Sequence, residues 1–158
     1  MTLSDLKRIV ESNDLVWQGW WPALSQLSPL QLQKPIVGSY ANILSTIEHA
    51  VGSELYWQVR LENQPDSMDP GPLARFDEIG DRWLALVPRR LEWLSTANPE
   101  AEVRFKGDDG HIETVRTWEC IVHMVSHSHF HRGQLAMQFR QIDLRPPSHH
   151  MIGRFMST

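Results

Sequence analysis

Four long segments in which apolar side chains recur at helical spacing, each stopped by proline, glycine or asparagine, restrict this chain to a helical bundle. The first runs from about Leu3 to Leu27, with Thr2 or Ser4 as its cap and Leu6, Ile9, Val10, Trp17 and Trp20 among its apolar positions. Pro22 predicts a kink or a division of that helix. A second helix, capped by Ser39, is expected over Tyr40 to Glu62, ahead of the turn residues Asn63-Gln64-Pro65-Asp66 and Pro70-Gly71-Pro72. The third covers about Leu73 to Thr96, with Phe76, Ile79, Trp83, Leu86, Leu91 and Leu94 inward and Pro88 threatening its continuity. The period then changes. Glu102 to Lys106 and Ile112 to Val115 alternate on either side of Gly107-Asp108-Asp109-Gly110, which reads as a β-hairpin. The last helix starts near Thr117, with Glu119 in its first turn, and ends near Ile142 before Pro146-Pro147. The expectation is all-α: an antiparallel four-helix bundle, residues 1–158 as a single domain, with a small β-hairpin inserted before the last helix.

A chain of 158 residues suits one core, and 41% hydrophobic residues with seven Trp can fill it without disulfides. The formal charge of −4 comes without a Lys/Arg cluster, so nucleic acid is not an expected partner. Nor is a membrane, because no uncharged apolar run approaches the roughly 18 to 20 residues that span one. Met1 to Val10 carries Asp5, Lys7 and Arg8 and so lacks the apolar stretch of an export signal. With Cys120 as the single cysteine, an intramolecular disulfide is impossible and a cytoplasmic location is expected. Cys120, beside Ile121 and Val122, reads as a small buried apolar residue.

Chemistry concentrates in the last helix, where His123, His127, His129 and His131 fall within nine residues. His127 and His131 are four apart, one turn apart on one helical face, and can chelate the same ion. His123 lies one turn earlier on that face, whereas His129 points to another side. Two histidines do not complete a site, and a bundle recruits further ligands from a facing helix. The second helix offers His49. Asn42, Ser45, Ser53 and Tyr56 fall near the same face as His49, and such a stripe inside a bundle must be hydrogen-bonded, hydrated or ligated.

The string His127-Ser128-His129-Phe130-His131-Arg132-Gly133-Gln134 resembles the H-x-x-x-H-R-G-Q signature of the DinB/YfiT-like metalloproteins. Ser39 to Leu61 is similar to the helix that carries their first histidine, and the order of helices and Leu144-Arg145-Pro146-Pro147 extend the resemblance over nearly the whole chain. The resemblance implies one divalent transition metal on His49, His127 and His131, a homodimer, and a small-molecule substrate. Characterised relatives include transferases and isomerases that use a low-molecular-weight thiol such as glutathione, mycothiol or bacillithiol, while others are described as metal-dependent hydrolases. After the double proline this chain departs from the pattern, with Ser148-His149-His150 where an acidic residue is common. His149 and His150 read either as a further ligand or as a solvated tail pair.

Three neutral imidazoles leave an ion's double charge uncompensated and a coordination position open, as in catalytic sites. A bound water would lose its proton more easily there, and a thiol would be held as thiolate. All-nitrogen ligation suits Zn, Ni, Fe, Co or Mn without choosing among them. The expected function is therefore a metal-dependent enzyme activating a low-molecular-weight thiol. The alternatives are a hydrolase working with metal-bound water and a non-catalytic metal-binding stress protein. Among the neighbours, His123 is expected to donate a supporting hydrogen bond or line the pocket, Arg132 to form an ion pair that fixes the helix end or a dimer contact, or else to be a solvated cation, and Gly133 to permit close helix approach. Trp20, Trp21 and Trp57 read either as core or as walls of an apolar pocket.

Overall fold

Local caps decide where the helices begin. Thr2 Oγ1 accepts from the Asp5 amide while Asp5 Oδ2 accepts from the Thr2 amide, starting α1 (Leu3–Leu24). Helix α1 continues past Pro22, which sits in its last turn, and then stops short of Leu27. Ser28 and Gln31 form a second capping box that starts a short helix the spacing did not predict, α2 (Pro29–Leu32). The next helix, α3 (Ile43–Leu61), begins later than Tyr40 because Asn42, not Ser39, caps it: Asn42 Oδ1 accepts from the Ser45 amide and Ser45 Oγ from the Asn42 amide. Asn42 and Ser45 are therefore engaged in the cap.

Helix α4 (Phe76–Leu94) starts at Phe76, although Leu73 ahead of it is buried in the core. Pro88 does not break it. The proline lies on the exposed side, as does Leu84, so the carbonyl that loses its amide partner can be hydrated. Strands β1 (Glu102–Lys106) and β2 (Ile112–Arg116) pair antiparallel in the register Glu102↔Arg116 to Lys106↔Ile112, as the alternation predicted. Helix α5 (Thr117–Gln141) follows directly, with Glu119 accepting from the Arg116 amide, and a final turn forms α6 (Ile152–Phe155). The computed structural model describes residues 1–64, 71–73, 75–107 and 109–155, the Arg154 side chain excepted. Pro65, Asp66 and Pro70 of the expected loop, and Asp108 of the hairpin turn, lie outside the described residues.

Two apolar clusters set the directions of the helices. One gathers Trp17, Trp20, Ile43, Ile47, Ile79, Trp83, Leu135 and Phe139, the other Leu6, Val10, Leu61, Leu94, Cys120, Ile121 and Met124. Hence α1 and α5 run one way and α3 and α4 the other, and the bundle is antiparallel with its middle pair codirectional. Full burial of Trp17, Trp20 and their neighbours contributes about 1.5–3 kcal/mol per large apolar side chain. Among the described residues no helix is long and apolar enough to cross a membrane.

Between the two clusters every long helix contributes polar side chains at one level. Asn13 and Asp14 come from α1, Glu54 from α3, Arg90 from α4, Ser128 and Arg132 from α5, and all are buried. Arg90 donates to Asp14 Oδ1 at 2.9 Å and Glu54 Oε2 at 2.7 Å. Ser128 Oγ donates to Glu54 Oε1 at 2.6 Å and accepts from Arg132 at 2.9 Å, while Arg132 also donates to Asn13 Oδ1 at 2.7 Å. The Trp17 indole donates into the same group, to Glu54 Oε1 and Ser128 Oγ. Burial pushes Asp14 up to about 7, whereas for Glu54 the Arg90 charge and the Ser128 hydroxyl overcome the burial effect and hold it below its ordinary value.

Candidate metal centre

The polar layer positions one wall of the site, because Ser128 and Arg132 sit next in sequence to His127 and His131 and are locked into it. Those two histidines project together from α5, and His49 faces them from α3, the helix packed most extensively against α5. The Nε2 of His127 lies 3.3 Å from that of His49 and 3.1 Å from that of His131. One nitrogen from each ring falls within 4.8 Å of the others, a group that could hold a metal ion. Two imidazole nitrogens at about 2.0–2.1 Å from one ion in tetrahedral array stand about 3.3 Å apart, so the spacing fits.

The ring chemistry fits as well. Gln134 Oε1 accepts from His131 Nδ1 at 2.8 Å, which makes Nδ1 the protonated nitrogen and leaves Nε2 as a lone pair aimed at the centre. Gln134 is held in turn through Nε2 to Ser39 Oγ at 3.1 Å. Burial, with the like charges that His131 and His49 would carry, pulls His127 down to about 4; burial also lowers His131 and His49. All three rings are thus neutral near pH 7, the form that ligates. Tyr40 covers the group, its ring 4.9 Å from His49 and 5.6 Å from His131.

From His49 an open cleft of about 430 Å³ extends along α3, lined by Glu48, Gly52, Ser53 and Tyr56 and also by Gly71 and Pro72. Ser53 and Tyr56 are thus placed at the cleft as their offsets from His49 suggested. Arg60 stacks its guanidinium 4.3 Å above the Tyr56 ring. His123 stays outside the nitrogen group: its ring lies 5.9 Å from that of His127 and 5.1 Å from Trp57, and the residue is exposed. His129 points elsewhere, its ring 5.9 Å from His149, whose ring lies tilted 4.0 Å from that of His150. His149 and His150 are not part of the three-histidine group.

The expectations for Arg132 and Gly133 need correction. Arg132 neither ends a helix nor meets solvent; it is fully buried, bonded to Asn13 and Ser128, with its guanidinium 5.3 Å from the Trp17 ring centre. Gly133 permits no close approach, since a Cβ there would meet open space. Trp20 is core, its indole donating to the Ser148 carbonyl at 3.0 Å. Trp21 lies on the α1–α4 side, and Trp57 packs on Phe105 and His123. Cys120 is buried with its thiol pushed up to about 12, the inert residue its neighbours indicated.

Gln134, Ser39 and Tyr40 were missed as parts of the site. Gln134 stood one turn beyond the second helical histidine, a signal in principle, but the other two reach the histidines only through the chain path ahead of α3.

Comparison with known proteins agrees with this architecture. The chain is similar to the uncharacterized protein YizA of Bacillus subtilis (strain 168), 25% identical over 153 residues that cover 94% of this chain and 95% of that protein. Its fold is similar to the crystal structure of a DinB family member from Shewanella denitrificans, with a TM-score of 0.53 and 12% identity over 89% of this chain and 83% of the other. The DinB family model matches residues 2–153, and the chain belongs to the DinB family.

Proposed function

We propose that this protein is a metal-dependent enzyme that holds one divalent transition ion on His49, His127 and His131 and acts on a small molecule with the help of a low-molecular-weight thiol. The observation that supports this most is the convergence of three neutral imidazoles beside an open cleft, a donor set with no anionic member. When bound, the ion would supply a positive centre that favours a thiol in its anionic, nucleophilic form.

The chain's own groups have separable tasks in this reading. Gln134 fixes the tautomer and tilt of His131, and the Ser128 side of α5 is anchored to Glu54, so the two α5 ligands cannot swing apart. Tyr40 shields the ligand rings from water. Ser53 and Tyr56 offer hydroxyls to a molecule lying in the cleft, and Glu48 places a carboxylate at its edge. The choice of a thiol over water as the activated group is supported by the family resemblance.

Cobalt-loaded protein titrated with glutathione, mycothiol or bacillithiol tests the reading. A sulfur-to-metal charge-transfer band at neutral pH with at least one of them is expected, absent in His127→Ala. No band with any thiol, together with turnover of esters or amides by the loaded protein, would replace this reading by that of a hydrolase.

A further inference from the structure

The side of the bundle formed by α1 and α4, away from the α3–α5 histidines, carries a second concavity of about 480 Å³. Three aromatic residues wall it. The Trp21 ring centre lies 5.5 Å from that of Trp83 and 6.0 Å from that of Phe76, with the planes inclined at 49° and 53°. The rings are inclined to one another instead of stacked, so the lining of the cleft is aromatic on more than one side, and the Trp21 and Trp83 indole nitrogens are buried without a hydrogen-bond partner. Trp83 is buried, whereas Trp21 and Phe76 are half-buried and remain accessible from the cleft.

The rim supplies a sign of charge. Asp77 and Asp81 line the cleft and no cationic side chain does. Asp77 is engaged by Arg75, and Arg82 leans to Glu78 at 3.9 Å; both guanidinium groups line a neighbouring concavity that Asp77, Glu78 and Asp81 share. Asp81 has no ion-pair or hydrogen-bond partner among the described residues. Leu84, 64% exposed, extends the apolar floor outward.

We infer that the α1–α4 cleft is a binding site for a small organic cation carrying an apolar group, an alkyl- or arylammonium. Aromatic faces and an unengaged carboxylate are the two elements that recognise a weakly hydrated ammonium, and the volume is that of a small-molecule pocket. An anion would meet Asp77 and Asp81, and a neutral molecule would leave the Asp81 charge unused. The site is independent of the three-histidine group, so its success or failure leaves the proposed metal function untouched.

Isothermal titration of the full chain with phenyltrimethylammonium, alongside its uncharged isostere tert-butylbenzene, tests the inference. The cation is expected to bind roughly tenfold more tightly than the isostere. Asp81→Asn, a change at an exposed residue, is expected to weaken the cation about threefold and leave the isostere unchanged. Trp21→Leu is expected to weaken the cation by about tenfold, and His127→Ala to have no effect on it. Equal affinity for cation and isostere, no binding of the cation, or indifference of its affinity to Asp81→Asn would overturn the inference. So would a dimer that Leu84→Lys dissociates, since a second copy would then occupy the cleft.

Discussion

His127 and His131 could be found in the sequence because one helical turn separates them, and His49 because a bundle needs a facing ligand. The group that sets the His131 tautomer could not be ranked, since Gln134 gains its meaning only when its amide oxygen lies 2.8 Å from Nδ1. Replacing Gln134 by Leu should lower metal affinity by roughly 10- to 100-fold while the helical content is kept, as measured by competition with a metal chelator. Unchanged affinity would show that Gln134 does not orient the ligand. His129→Ala should bind metal like the unaltered chain, because its ring turns toward His149.

Protonation gives a second residue-level test. A histidine whose folded pKa is lowered keeps its contribution above the ordinary value of 6.5 and loses it as the pH falls through the folded one, here about 4 for His127. His49 and His131 are lowered as well, so bound metal should persist through the ordinary histidine range and be released only at a pH below 6.5. Release centred near 6.5, followed by equilibrium dialysis, would contradict the depressed values.

At the scale of elements, the helices were legible from their period, and the misplaced start of α3 has a local cause. Ser39 and Asn42 are both good caps by type; Asn42 wins because Ser45 stands three residues on and completes the box. Asn42→Ala should cost about 1 kcal/mol of stability by chemical denaturation. The polar layer was missed for a different reason. Asn13, Glu54, Arg90 and Arg132 each occupy the core-facing stripe of their own helix, yet a lone charge in one helix reads as solvated until the facing helices supply its partners. Arg90→Met leaves Asp14 and Glu54 buried without their cation, and should cost roughly 3–5 kcal/mol. A loss below about 1 kcal/mol would mean that the layer is hydrated and the pairs weak.

For the molecule as a whole, sequence periodicity yields the number of long helices and the hairpin but not the codirectional middle pair, since a helix's direction follows from which of its ends joins which apolar cluster. That order brings α3 against α5 and so places His49 opposite His127 and His131. We propose in addition that the protein is a homodimer, supported by the family resemblance and by Phe130 and Met137, which stand exposed seven residues apart on α5. Sedimentation equilibrium at micromolar concentration should give twice the mass of 18.3 kDa, and a monomer mass would refute it.

The three-histidine centre itself is tested most directly by titrating metal-free protein with zinc and counting bound ions calorimetrically, for the unaltered chain and for His49→Ala, His127→Ala and His131→Ala. The account predicts close to one ion per chain and loss of tight binding in all three variants, with circular dichroism unchanged. Full occupancy retained in any one of the three folded variants would contradict it.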